Sequence, residues 1–192
     1  MKNIATALVL AASAIAAPAM AQDVSAPSGP RAEAIVGYDR ISLDLGDYGL
    51  GTYSKDGVAY GLAVGYDIPT AGSVSFGVDA EVTGSSTKVV FDDGTDRLEV
   101  KAGRDLYVGA RVTAAVNPRL NLYAKVGYTN ARISAEYNGE GLGGENGDGV
   151  RFGVGGQLAI MQRSYLSLEY RYSNYEGGFS RNQVLAGLGV RF

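Results

Sequence analysis

From residue 31 to residue 192 the chain alternates apolar residues with small or polar ones in stretches of about ten, each closed by a turn or loop. A period of two is the mark of β-strands whose two faces meet different surroundings. Eight such stretches are present. The first, 31–39, sets Ala32, Ala34, Val36 and Tyr38 against Glu33, Ile35, Gly37 and Asp39. The second, GVAYGLAVGYDI at 57–68, also carries glycines four apart, the spacing of closely packed membrane helices. A helix there would meet Pro69 after a dozen residues and would scatter Val58, Tyr60, Leu62, Val64 and Tyr66 around its circumference. As a strand it sorts every residue, with Gly57, Ala59, Gly61, Ala63 and Gly65 forming a thin wall opposite bulkier charged residues such as Glu81 or Arg111. The others run 73–83, 105–116, 120–129, 150–160, 166–173 and 183–192.

The links between stretches alternate in length. Those at 68–72, 117–119 and 161–164 are short and hold Pro, Gly, Asn or Ser, which suit tight turns. Those at 40–56, 84–104 and 130–149 are long, and the fourth, 174–180, is shorter. This predicts an all-β fold: an eight-stranded antiparallel up-and-down transmembrane β-barrel, with short periplasmic turns and longer extracellular loops.

Which face points outward follows from size. Glu33, Asp39, Asp67, Asp79, Glu81, Asp105, Arg111, Lys125, Arg151, Glu169, Arg171 and Arg191 share one face with many Gly, Ala, Ser and Thr residues. The opposite face is almost purely Val, Leu, Ile, Ala, Phe and Tyr. An eight-stranded barrel has room inside for side chains only, so the small, charged face belongs in the lumen and the bulky apolar face against lipid. A soluble ligand-binding barrel would reverse the two. Ten residues tilted by about 40° rise on the order of 25 Å, the height of an outer-membrane apolar band. Tyr38, Tyr66, Tyr128, Tyr170 and Tyr172 lie on the apolar face near strand ends and are expected to form aromatic girdles at the membrane interfaces.

Composition narrows the chemistry. The first 21 residues read as a cleavable secretory signal peptide: Lys2, an apolar run over 4–17, then Ala19-Met20-Ala21 before Gln22. Residues 22–30 then form a short periplasmic segment, and 31–192 the barrel. There is no cysteine and no histidine, which removes thiolate chemistry and the commonest general base and zinc ligand. No catalytic residue, metal site or cofactor is assigned, and an enzyme is not expected. With 17 basic and 20 acidic side chains, nothing points to nucleic acid.

The eight alternating stretches, the asymmetry of the links and the ending VLAGLGVRF together resemble the small outer-membrane β-barrel proteins of Gram-negative bacteria. These are the OmpA-like transmembrane domain and OmpX group, also called porin-family or opacity-like proteins. In that family a terminal aromatic with apolar residues at alternate positions is read by the barrel-assembly machinery. Gly187, Leu188, Val190 and Phe192 match the signal, while Leu185 stands where it usually has a polar residue. The resemblance implies an outer-membrane location, contact with lipid and lipopolysaccharide, and a monomer.

Two places could carry function. In a narrow lumen a lone charge is costly, so Glu33, Glu81 and Glu169, with Asp79, are expected to pair with Arg111, Lys125, Arg151 and Arg171. Such a network is either a static plug or a gate in a narrow porin for ions or very small solutes; the plug is favoured. The acidic, glycine-rich stretches 91–99 and 138–149 are expected to be mobile surface loops open to an unidentified surface ligand. The leading expectation is therefore a structural or surface-interaction barrel.

Overall fold

The computed structural model describes residues 24–44, 51–70, 72–92, 97–137 and 140–192. Nine strands follow one another: β1 (Gly29–Asp44), β2 (Thr52–Pro69), β3 (Val74–Ser85), β4 (Lys88–Asp92), β5 (Arg97–Asn117), β6 (Leu120–Tyr137), β7 (Glu140–Ala159), β8 (Ser164–Tyr175) and β9 (Phe179–Arg191). Eight of them close a ring. β3 skips β4 to pair with β5, and β9 pairs antiparallel with β1 from Arg31↔Arg191 to Leu43↔Phe179. Closure is what lipid demands, because a sheet edge there would leave backbone donors and acceptors with neither water nor partner.

β4 is the upper continuation of β3. Pairing with β5 stops at Thr83↔Asp105 on β3 and resumes at Lys88↔Lys101 on β4. At the break the Thr87 side chain turns inward, bonding Ser85 and Asp39.

The two faces follow the period of two. Leu62, Phe76, Val108 and Leu168 stand out from the wall, each close to 60 % exposed, whereas Asp39, Asp67 and Arg151 on the inner side are fully buried. An outer surface of bare Val, Leu, Phe and Tyr around a charged interior suits lipid outside the barrel.

Two expectations change. The links at 40–56, 84–104 and 130–149 are mostly strand: β1 and β2 stay paired up to Asp44↔Thr52, and β6 and β7 up to Tyr137↔Glu140. The stretch 138–149, expected to be a mobile loop, is from Glu140 onward part of β7. Its partner on the other side, β8, begins only at Gly149↔Tyr175. At 21 residues β5 is about twice the length a barrel strand needs to cross a membrane. The barrel therefore rises well beyond its apolar band.

At the short-turn end, Ala26 is buried and donates its N–H to Gly72 O at 3.2 Å. The chain thus crosses under the barrel before β1 begins, and Gly29 and Pro30 already belong to that strand. Gly72 itself has φ +93°, a left-handed conformation that glycine adopts without a Cβ clash. The expected signal peptide lies outside the described residues.

Candidate functional site: the charged lumen

Seven buried carboxylates face inward: Glu33, Asp39, Asp67, Asp79, Glu81, Asp105 and Glu169. Six buried cations, Arg31, Arg111, Lys125, Arg151, Arg171 and Arg181, stand among them, and half-buried Arg191 adds a seventh through its ion pair with Asp67. The described lumen is therefore neutral, which matters because uncompensated charge in so narrow a space is expensive.

The pairs form three linked tiers. Nearest the short turns, Arg31 bridges Asp67 (3.1 Å) and Asp79, Arg111 reaches Asp79 (2.8 Å), and Arg191 holds Asp67 (2.5 Å) and donates to Gln157 (2.6 Å). At mid-height Glu81 accepts from Lys125, Arg171 (2.9 Å) and Arg151 (3.5 Å). Glu169 accepts from Lys125 (2.8 Å), Arg171 (2.7 Å) and the Tyr123 hydroxyl (2.7 Å). Higher still, Asp105 takes Arg151, Arg181 (2.9 Å) and the Tyr175 hydroxyl (2.7 Å), while Asp39 takes Arg181 (2.7 Å).

Arg151 ties the middle tier to the upper one. The Arg111 guanidinium, 3.8 Å over the Tyr123 ring, ties the lower to the middle. Because these residues come from all eight barrel strands, the network runs from wall to wall. Beside it lies a cavity of about 10 Å³ bordered by Glu33, Ile35, Glu81, Arg111 and Glu169, room for one water at most.

All eight residues expected in the lumen network lie in the lumen, and seven of them pair with one another. Glu33 does not join them. Among the described residues no cation lies within ion-pair distance of it, and its carboxylate instead accepts from the Tyr165 hydroxyl at 3.0 Å and from Ser167. Its place is made by Gly187. A Cβ there would lie 1.9 Å from Glu33 Oε1 and 2.5 Å from Ser167 Oγ. Gly187 thus has a packing reason to be glycine, whatever the assembly machinery reads. Leu188, Val190 and Phe192 of the expected terminal signal face outward, Phe192 at 72 % exposure, while Leu185 packs inside the lumen with Ile35 and Ala59.

Of the small wall of β2, Ala63 stands beside Glu81 and borders the same small cavity as Arg111, as expected, but its glycines face other partners. The atoms closest to Gly65 are the guanidinium of Arg31, and those closest to Gly61 and Gly57 belong to Thr83 and Thr87, with Val82 O on Gly61 as well. Neither Glu81 nor Arg111 is among the nearest atoms to any of these three glycines.

Of the outward tyrosines, Tyr66 lies toward the short turns and the other four toward the opposite end. Tyr38, Tyr128 and Tyr170 share one arrangement. Each sends its hydroxyl one step up to a polar residue of the next strand, Asp56, Asp148 and Asn182 (2.7 Å) respectively. Below these hydroxyls the wall is apolar; above them it is polar. Tyr172 is only half-exposed, and Tyr60, outward and 56 % exposed, belongs with this set although its place in the middle of an apolar run hid it. Hydrogen bonds from Tyr128 and Asn130 hold the Asp148 carboxyl below the usual carboxylate range.

The closed ring, the apolar outer wall and the charge-filled lumen define an outer-membrane β-barrel. The chain belongs to the outer membrane protein β-barrel domain family, whose model matches residues 7–192. Its location is accordingly the outer membrane of a Gram-negative bacterium. No curated protein matches it. Among solved structures it is similar to Neisserial surface protein A, at 18 % identity and a TM-score of 0.62, over 86 % of this chain and 98 % of that one. It is also similar to Ail, the attachment invasion locus protein of Yersinia pestis, at 16 % identity and a TM-score of 0.56, over 86 % and 100 %. At such identities the likeness speaks for the fold.

Proposed function

We propose that this protein is a non-conducting, non-enzymatic barrel that works at the cell surface, its lumen a static plug and its raised hairpins the part offered to the environment. The observation that carries this reading is the neutral ion-pair network joining opposite walls of the lumen at three heights. Moving an ion through it would require breaking several buried pairs at once, each costing about 3–5 kcal/mol. Hydrolytic chemistry has no histidine to draw on. The outer wall would contact lipid and lipopolysaccharide as a monomer, with the C-terminal residues recognised by the assembly machinery after export on the signal peptide.

Planar-bilayer recording of the purified barrel tests the plug. The expected result is no steady conductance from the native protein. Steady conductance that disappears on Arg111→Gln would establish the narrow-porin reading instead.

A further inference from the structure

Above the tyrosine hydroxyls the polar outer wall is unevenly charged. Between Ala102 and Asp105 the β5 register slips by one residue against β6, so that Gly103 and Arg104 span the interval filled on β6 by Arg132 alone. A Cβ on Gly103 would lie 2.8 Å from Arg132 O, so the bulge is tight. Arg104 and Arg132 are both exposed. They lie side by side on the outward face, just above Leu106 and Asn130 and two rows above Tyr128, where the wall turns from apolar to polar.

Neither arginine has an ion-pair partner among the described residues. The nearest outward acid below them, Asp148, is already engaged by Tyr128 and by Asn130 at 2.6 Å. The opposite flank is arranged differently. Arg40 has Asp56 3.7 Å away on the adjoining strand, and the row holds Asn182 on β9 and Tyr172 on β8. Like charges on adjacent strands repel. A pair of arginines with no acid beside it is therefore a feature that an external anion would stabilise, on one side of the barrel only.

We infer that Arg104 and Arg132 form a seat for the phosphates of a phosphorylated outer-leaflet glycolipid, the lipid anchor of lipopolysaccharide. Two arguments select this occupant. Guanidinium groups grip phosphate in a bidentate way, and paired arginines match paired phosphates. Their height, directly above the apolar wall, is that of a headgroup whose acyl chains lie along Leu106, Val108 and Val126. The inference rests on the preceding reading that this wall faces lipopolysaccharide, and fixes where the contact is made.

The test uses the full barrel in phosphatidylcholine vesicles carrying either diphosphoryl lipid A or its dephosphorylated form, with binding followed by fluorescence of labelled lipid. The native protein is expected to prefer the diphosphoryl form. The double variant Arg104→Gln/Arg132→Gln should lose about thirtyfold in affinity for it, at roughly one surface-bound charge's worth per arginine. The doubly substituted Arg104→Lys/Arg132→Lys should recover part of that loss. Arg119→Gln/Arg163→Gln, on the short turns at the other end, should bind as the native protein does. All variants should keep the heat-dependent gel mobility of a closed barrel, since the four side chains are exposed.

Unchanged affinity in the Arg104/Arg132 variant, with the native protein still preferring the diphosphoryl form, overturns this seat and leaves lipopolysaccharide contact standing. An equal loss in the Arg119/Arg163 variant overturns it too, as a general charge effect. A native protein indifferent to the phosphates overturns both the seat and lipopolysaccharide as partner.

Discussion

Glu81 and Glu33 are both inward-facing glutamates buried in the lumen and bordering one small cavity, yet they are held by opposite means. Glu81 accepts from Lys125, Arg151 and Arg171, and each of those cations also serves another carboxylate. Among the described residues Glu33 accepts only from the hydroxyls of Tyr165 and Ser167. The first carboxylate is a node whose removal would strip a partner from three buried cations. The second is a local fixture between β1, β8 and the gap left by Gly187. Burial and charge alone do not tell which inner-wall residues hold the plug together; shared partners do.

Glu81→Gln should therefore give the largest effect. The amide keeps the shape but leaves Lys125, Arg151 and Arg171 each short of one anion, in a place water cannot easily reach. A loss of about 3–5 kcal/mol is expected. The check is the urea midpoint for unfolding in lipid vesicles, read from the heat-dependent gel mobility of the folded barrel. A midpoint within error of native would mean that the network is dispensable and that the plug rests on steric filling.

Gly187→Ala comes next, at about 1–3 kcal/mol, because the added methyl must displace the Glu33 carboxylate from two hydrogen bonds. The same substitution falls in the expected terminal insertion signal, so two causes must be separated. In a Glu33→Ala background the methyl has space, and the stability cost of Gly187→Ala should nearly vanish. A defect in membrane insertion that persists in that background would belong to recognition of the chain end.

The contrast between these residues also marks what was legible beforehand. Alternation placed Glu33, Asp79, Glu81, Arg111, Lys125, Arg151, Glu169 and Arg171 on one face, because a strand flips its side chains at every residue and lipid punishes a slip. It could not say which would meet. Partners depend on how eight strands are staggered on closing, and the hydroxyl that holds Glu33 comes from Tyr165, at the very start of β8, outside the alternating stretch. Arg181 was missed for a related reason. β9 begins at Phe179, in a segment that reads as loop because its outward residues, Ser180 and Asn182, are polar. The raised hairpins were illegible altogether. Above the membrane both faces of a strand meet water, so the backbone stays paired while the pattern that would reveal it fades.

Glu33→Gln should have the smallest effect of the three, about 1 kcal/mol or less. The amide oxygen can still accept from one hydroxyl, and the other hydroxyl can rotate to accept from the new NH2 group, so both contacts are kept and no charge is stranded. This prediction decides between two accounts of the lumen. If stability comes from contacts, Glu33 has no cation to strand and its charge matters little. If it comes from the overall balance of seven carboxylates and seven cations, removing any one acid leaves the same surplus positive charge, and Glu33→Gln should cost nearly as much as Glu81→Gln. Equal shifts in the urea midpoint would make the lumen a neutral medium, whereas a large gap between the two variants would make it a set of specific pairs. Three cations converging on Glu81, against none within ion-pair distance of Glu33 among the described residues, favour the gap.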